Sequence, residues 1–384
     1  MTFNFNQIID RANSDSLKWN VYPEDVIPLW IADMDFLAPP AVNSALEERV
    51  AHGVYGYAKN PLALDEAIIH WTEKHYGLQV SNEDIHYVPG VVTGFNLVAR
   101  AFLEPGDGIL FQPPIYPPFF NVAENGGFES HAIDLVQNPD GAYAIDFDLL
   151  EKNIKPNTKM FLLCNPHNPV GRVYTQAELQ QIAAFCAKHD LLICSDEIHC
   201  DLIYSDQHHI PIMSLGEELE KRTVMLFAPS KSFNIAGLGF SVMIIKDERL
   251  REQFKKAFAG ILPHPDLLSI QAALAAYTSS ESWLQEVMGY LEENRNFIYD
   301  YVNNEIPGMR MWKPEGTFLA WLDCSQLPCA DNPHKFFLEK AKVGLNNGSD
   351  FGKAGQGFVR LNFACPRARL QESLERMRKA VRDV

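Results

Sequence analysis

The chain has no apolar run of membrane-spanning length, no CxxC pair, no low-complexity tract, no internal repeat and no excess of basic residues. Each absence removes a class. A bilayer-crossing helix needs about 20 consecutive apolar residues, so no membrane span is expected. With 33 Lys and Arg against 49 Asp and Glu, the formal charge of −16 repels a phosphate backbone, and nucleic acid is not an expected partner. The seven cysteines (Cys164, Cys186, Cys194, Cys200, Cys324, Cys329 and Cys365) are odd in number, and several lie in apolar runs. That pattern fits reduced structural thiols rather than a disulfide framework. The opening MTFNFNQIIDRANSDS carries acidic and polar residues where a signal peptide needs a continuous apolar stretch. A cytoplasmic location is the expectation.

What is present suits a soluble enzyme. A chain of 384 residues with 47% hydrophobic content can bury two sizeable cores. Short apolar runs alternate with helical patterns: ILF (109–111), KMFLLCNP (159–166), LLICSDE (191–197), TVMLFAPS (223–230) and LGFSVMII (238–245). Continuous rather than alternating hydrophobicity marks strands covered on both faces, so an α/β fold with a mainly parallel sheet is predicted. The pattern at 176–190 follows Thr175, which with Glu178 makes a T-x-x-E capping box. From about residue 280 long helical patterns (281–304 and 367–383) flank strand-like pieces at 316–323 and 357–364, which reads as a smaller α+β domain. The expected organisation is therefore an arm over 1–40 without clear helix or strand, a large domain over 41–279 and a small domain over 280–384. The arm is expected to pack on the small domain or on a second subunit.

Ligands of open α/β sheets bind where strands end. The polar residues at these ends are Asn165 and Asn168 in NPHNPVG, Asp196 in SDEIH and Lys231 in APSKS. Pyridoxal 5′-phosphate needs this set: a lysine to hold its aldehyde covalently and an acid to keep its ring nitrogen protonated. An Asn near the ring oxygen can donate a hydrogen bond to it. A partly desolvated lysine titrates below its value in water and can act as nucleophile and base. The phosphate needs a cradle, and in VPGVVTGF (88–95) a Pro-Gly turn leads into a helical pattern with the amides of Val92 and Thr93 at its start. The Thr93 hydroxyl either caps that helix or meets the phosphate. Ser230 is either a further phosphate ligand or a turn serine, and Tyr116, in QPPIYPPFF (112–120), is either a core aromatic or a ring stacked on the cofactor.

LWIADMDF (29–36), GVYGYA (53–58), PGVV (89–92), NPHNPVGR (165–172), SDEIHCDL (195–202), PSKSFNIAGLGF (229–240) and RLNFACPR (360–367) occur in this order along nearly the whole chain. On these motifs the chain resembles fold-type I pyridoxal-phosphate enzymes of the class I/II aminotransferase superfamily, and more narrowly the MalY/PatB branch of cystathionine β-lyases. The resemblance implies that Lys231 binds the cofactor covalently, Asp196 partners its ring nitrogen, Asn168 its ring oxygen and Tyr116 its ring face. It puts His199, Val92, Thr93 and Ser230 among the cofactor contacts. Arg360 becomes the clamp for a substrate α-carboxylate, with Asn165 orienting it and with Trp30 and Ala32 beside the substrate. Tyr57 would reach the phosphate of a neighbouring subunit, which implies a homodimer with composite sites. The implied reaction cleaves cystathionine or a related cysteine thioether to pyruvate, ammonia and a thiol; the alternative is an aminotransferase. Some members of the branch also bind a transcription factor, and no surface feature of this sequence identifies such a partner. The chain departs from many aminotransferases in having His199 where they have Tyr and Gly239 where they have Arg, and from some relatives in having Pro117 in place of a second Tyr.

Other readings fare worse. DEIH (196–199) matches a helicase box, but the phosphate-binding G-x-x-x-x-G-K-[ST] spacing that such enzymes need occurs nowhere. Glu197, His199, Cys200, His208 and His209 could suggest a metal, yet residues one apart on a strand face opposite ways, so satisfied or solvated histidines and no metal are expected. The glycines of GKAGQG (352–357) do not follow a strand and open a helix, which argues against a dinucleotide site.

Overall fold

The computed structural model describes residues 2–59, 62–139 and 141–384. Its centre is a seven-stranded sheet built from β1 (Ile85–Val88), β2 (Gly108–Phe111), β3 (Glu129–Ala132), β4 (Thr158–Cys164), β5 (Leu192–Asp196), β6 (Thr223–Phe227) and β7 (Ser241–Ile245). The spatial order is β1-β7-β6-β5-β4-β2-β3. β7 pairs antiparallel with both β1 and β6, and the other described pairings are parallel. The expected strands are all present. The edge strand β3 carries no apolar run, because three of its four residues are exposed.

Burial on both faces explains the continuous hydrophobicity. Along β4, Met160, Leu162 and Cys164 pack with Phe95, Val98, Phe119 and Phe254 on one side. Phe161 and Leu163 pack with Leu179, Ile182 and Phe185 on the other. The helix carrying these last three, Gln176–Lys188, opens on the Thr175–Glu178 capping box. The Val91–Phe102 helix lies so close to the sheet that a Cβ on Gly94 would come within 2.6 Å of Leu226 Cδ2, and this approach brings its N-terminus to the strand ends.

A second, antiparallel sheet joins Arg310–Met311, Leu319–Asp323, Phe358–Asn362 and Asn346–Asn347, backed by the helices Glu281–Glu305 and Arg367–Arg382. The first forty residues are less irregular than expected: they include a helical turn at Leu17–Asn20 and a strand, Ile27–Pro28, that pairs parallel with Val343–Gly344. Phe5 is buried against Phe36, Trp283 and Tyr290. Lys18, 1% exposed, meets Asp33 and Asp35, which Arg11 and Arg369 also engage. No helix among the described residues is long and apolar enough to cross a membrane.

The segment 30–36 is pinned from the large sheet's side by Asn234, whose side chain accepts from Met34 N and donates to Met34 O and Phe36 O. Asn234 also has φ 54°, a region that costs other side chains more than Asn. Asn234→Ala is therefore expected to destabilise the fold by about 2–4 kcal/mol in urea unfolding and to expose residues 10–37 to limited proteolysis.

Candidate active site

A cavity of about 460 Å³ opens where the strands of the large sheet end, bounded on its far side by Trp30, Ile31 and Ala32 of the arm and by Asn346 and Arg360 of the second sheet. That volume lies within the range of small-molecule sites.

Lys231 sits in the turn Pro229–Ser232, just past β6, and its Nζ donates to Ala32 O at 2.6 Å. Burial pulls its ammonium down to about 8; Arg360 adds to this, while Asp33 and Asp196 oppose it. The next residue anchors the turn: Ser232 Oγ donates to Asp201 Oδ2 at 2.6 Å, and Asp201 Oδ1 also accepts from Trp71 Nε1 and the Tyr76 hydroxyl.

Asp196 ends β5, and its Oδ1 accepts from Ile198 N at 3.1 Å. Burial pushes its carboxyl up to about 7; the Ile198 bond and Lys231 work against this and Glu197 reinforces it. His199, 2% exposed, is held down to about 3 by burial and by the Lys231 and Arg360 charges, and its Nδ1 is buried without a partner. It is a neutral imidazole at physiological pH.

Arg360 is caged. Nη1 donates to Asn168 Oδ1 at 2.9 Å, Nη2 to Trp30 O at 2.9 Å and to Asn346 Oδ1 at 2.6 Å, and the guanidinium lies 4.9 Å from the Phe351 ring centroid. Nε is buried without a partner. Burial lowers the group to about 10, which Tyr116 opposes. Because Arg360 occupies Asn168 Oδ1, the amide nitrogen of Asn168 is the end left for a ligand.

The sequence-predicted residues Trp30, Ala32, Val92, Thr93, Tyr116, Asn168, Asp196, His199, Ser230, Lys231 and Arg360 all line this one cavity. Two do not. Asn165 is fully buried, with Oδ1 accepting from Tyr174 N, and makes no bond to Arg360. Its expected role as the residue that orients Arg360 is corrected: the chain turns after β4, so the amide that meets Arg360 is that of Asn168, three residues on. Tyr57 stands fully exposed, outside the cavity. Thr93 does not cap its helix, since Gly90 is the N-cap and Thr93 lies in the first turn. Asn346, Asn234 and Asp201 were not predicted. The Asn-Asn-Gly run at 346–348 reads as a turn, and nothing local reveals that its first residue faces an arginine.

The site fits pyridoxal phosphate on structural grounds. The first-turn amides of the Val91–Phe102 helix have no intrahelical acceptor, Ser230 lines the same cavity, and a buried carboxyl and a buried amine with opposite displacements share that space.

Residues 24–377 match the family model described as aminotransferase class I and II. Cystathionine beta-lyase PatB of Bacillus subtilis (strain 168) is 38% identical over 390 residues, covering 98% of this chain and 100% of that protein. The crystal structure of OvoB is 44% identical with a TM-score of 0.94, covering 99% of each chain. Cystalysin from Treponema denticola, whose structure contains a pyridoxal 5′-phosphate cofactor, is 34% identical with a TM-score of 0.95, covering 100% of each.

The displaced Asp196 yields a prediction for the cofactor-free protein. A carboxyl raised from its ordinary value to about 7 favours the fold while protonated, and this contribution is lost as pH rises through about 7. Asp196→Asn carries no such charge. It should match the wild type in stability near pH 4 and exceed it by roughly 2–4 kcal/mol at pH 8, as measured by urea unfolding at the two pH values.

Proposed function

The chain belongs to the aminotransferase class I and II family, and within that family we propose that it is a pyridoxal-phosphate-dependent carbon–sulfur β-lyase acting on cystathionine or a smaller cysteine thioether. The observation that carries the reading is the convergence of Lys231, Asp196, Asn168 and Arg360 on one buried cavity. The full-length likeness to a cystathionine β-lyase supports elimination over transamination.

The cofactor, when bound, supplies an electron sink for the substrate's α-carbon. The amides of Val92 and Thr93 at a helix N-terminus, together with Ser230, would hold its phosphate. Asp196 would partner the ring nitrogen, whose positive charge would favour the ionised form of the carboxyl. Asn168, whose Oδ1 accepts from Arg360, would donate its amide N–H to the ring oxygen. Tyr116 would lie against the ring, and His199, uncharged, lines the same cavity as Asp196. Arg360 receives the α-carboxylate, a task for a planar two-pronged donor, and Trp30 and Ala32 close the space over the substrate. With its amine near pH 8, Lys231 is deprotonated often enough at neutral pH to take the α-proton. The Cβ–S bond then breaks, the thiolate leaves with the electron pair and is protonated, and the remaining 2-aminoacrylate takes up water to give pyruvate and ammonium.

The working unit is a homodimer located in the cytoplasm. Val54, Tyr55 and Tyr57 are all exposed in this chain, and Tyr57 is available to reach a second subunit's phosphate site.

With cystathionine and no added keto acid, the holoenzyme should release pyruvate, ammonia and homocysteine, whereas glutamate formation from an amino acid and 2-oxoglutarate should be slow. Turnover that depends on the keto acid, without pyruvate, would make the protein an aminotransferase. Lys231→Ala should lower elimination at least about 1000-fold, and borohydride should fix the cofactor to the wild-type peptide containing Lys231. Mixed with subunit exchange, inactive Tyr57→Ala and Lys231→Ala proteins should regain activity, because one site of the hybrid dimer carries neither lesion. No recovery would confine Tyr57 to its own subunit.

A further inference from the structure

An arginine grips a carboxylate with two parallel N–H bonds, either across its end from Nη1 and Nη2 or along its side from Nε and Nη2. Both grips use a hydrogen of Nη2. In Arg360 both Nη2 hydrogens are already given, one to Trp30 O at 2.9 Å and one to Asn346 Oδ1 at 2.6 Å. Nη1 donates to Asn168 Oδ1, and Nε is buried without a partner. The guanidinium therefore takes hold of a carboxylate with two bonds only if one acceptor leaves Nη2.

The two acceptors differ in freedom. Trp30 O belongs to a backbone fixed on either side: Leu29 N donates to Gly344 O, Asn362 N to Leu29 O, Asn362 Nδ2 to Ile31 O and Trp30 Nε1 to Lys18 O. It cannot retreat. Asn346 is a half-buried side chain on the edge strand Asn346–Asn347, directly across from Arg360 in the antiparallel pairing and on the cavity wall. Its neighbour Asn347 is used locally, accepting from Ser349 N, whereas the Nδ2 of Asn346 makes no hydrogen bond among the described residues. An arginine offers no acceptor, so the amide must face it with oxygen, and Nδ2 is left as a donor pointing elsewhere. The terminal amide torsion is broad and roughly two-fold. A rotation about it withdraws Oδ1 from Nη2 and brings Nδ2 to the oxygen that takes its place.

We propose that Asn346 is a substrate-binding residue: it yields its place on Arg360 Nη2 to the α-carboxylate and donates its own amide N–H to that carboxylate. This rests on the reading above, in which Arg360 receives an α-carboxylate. A neutral amide suits the exchange. It accepts from the guanidinium without the charge that would make the bond hard to displace, and it changes from acceptor to donor by turning. An aspartate side chain would do neither.

The test uses holoenzyme and two small amines, L-alanine and isopropylamine, of which the second lacks the carboxylate; binding is followed through the cofactor's absorbance. Wild type should bind L-alanine at least about tenfold more tightly than isopropylamine. Asn346→Ala should reduce that preference about tenfold, by loss of a hydrogen bond to a charged group, with isopropylamine unaffected. Asn346→Asp should reduce it further, because its carboxylate keeps Nη2 and repels that of the substrate. If Asn346 only orients Arg360, Asp should serve better than Ala, since it also accepts. That ranking, an undiminished preference in Asn346→Ala, or an equal loss for both amines would overturn the proposal and leave the function standing. With cystathionine, Asn346→Ala should raise KM about tenfold and change kcat by less than about twofold. Should the variants not fold, a crystal structure of the wild type with L-alanine decides: the carboxylate on Nη2 with the Asn346 amide turned to it supports the proposal, and Asn346 Oδ1 still on Nη2 overturns it. A wild type with no preference for L-alanine would refute the function and the proposal with it.

Discussion

The cavity depends on how the backbone of residues 30–36 satisfies its carbonyls. The segment belongs to no strand, and a buried carbonyl without a donor is costly. Side chains from elsewhere in the chain supply the donors: Arg360 to Trp30 O, Asn362 to Ile31 O and Asp33 O, Lys231 to Ala32 O, and Asn234 to Met34 O and Phe36 O. The same bonds that hold the arm therefore aim two cations into the cavity. Behind the segment, burial alone would raise the Asp35 carboxyl, yet Lys18, Arg369, Trp19 and Arg11 together hold it below its usual range. The arm is thus fixed by charge on one side and by amide and cation donors on the other.

Desolvation sets the chemistry inside. Lys231 at about 8, Asp196 at about 7 and Arg360 at about 10 are each displaced toward their neutral forms, with burial as the first cause in every case. These groups are held ready for a ligand that brings the opposite charges: a cationic ring nitrogen for Asp196 and a carboxylate for Arg360. Asp201 adds rigidity from beneath, since three donors from two regions converge on it and one of them, Ser232, is the residue after the lysine.

Much of this is legible in the sequence because its causes are local. The run KMFLLCNP announces a strand covered on both faces, Thr175 and Glu178 announce a helix start, and Pro-Gly before VVTGF announces the helix N-terminus at the cavity. Polar residues after apolar runs mark Asn168, Asp196 and Lys231, since strand ends are where a parallel sheet exposes its side chains to a ligand. The β3 strand escapes notice because an edge strand with one solvated face needs no apolar run.

The sequence by itself determined the α/β class, the order along the chain of five of the sheet's seven strands and the residue types at their ends, all of which follow from periodicity, caps and turn chemistry over a few residues. Tertiary structure alone decided which amide meets which cation. Asn168 and Arg360 lie 192 residues apart, and nothing near Asn165 or Asn168 says which of the two the fold will bring to the guanidinium. It likewise decided that His208 is exposed while His209 is buried against Glu197. Partner choice among polar side chains is set by packing across the whole chain, and local sequence carries no record of it.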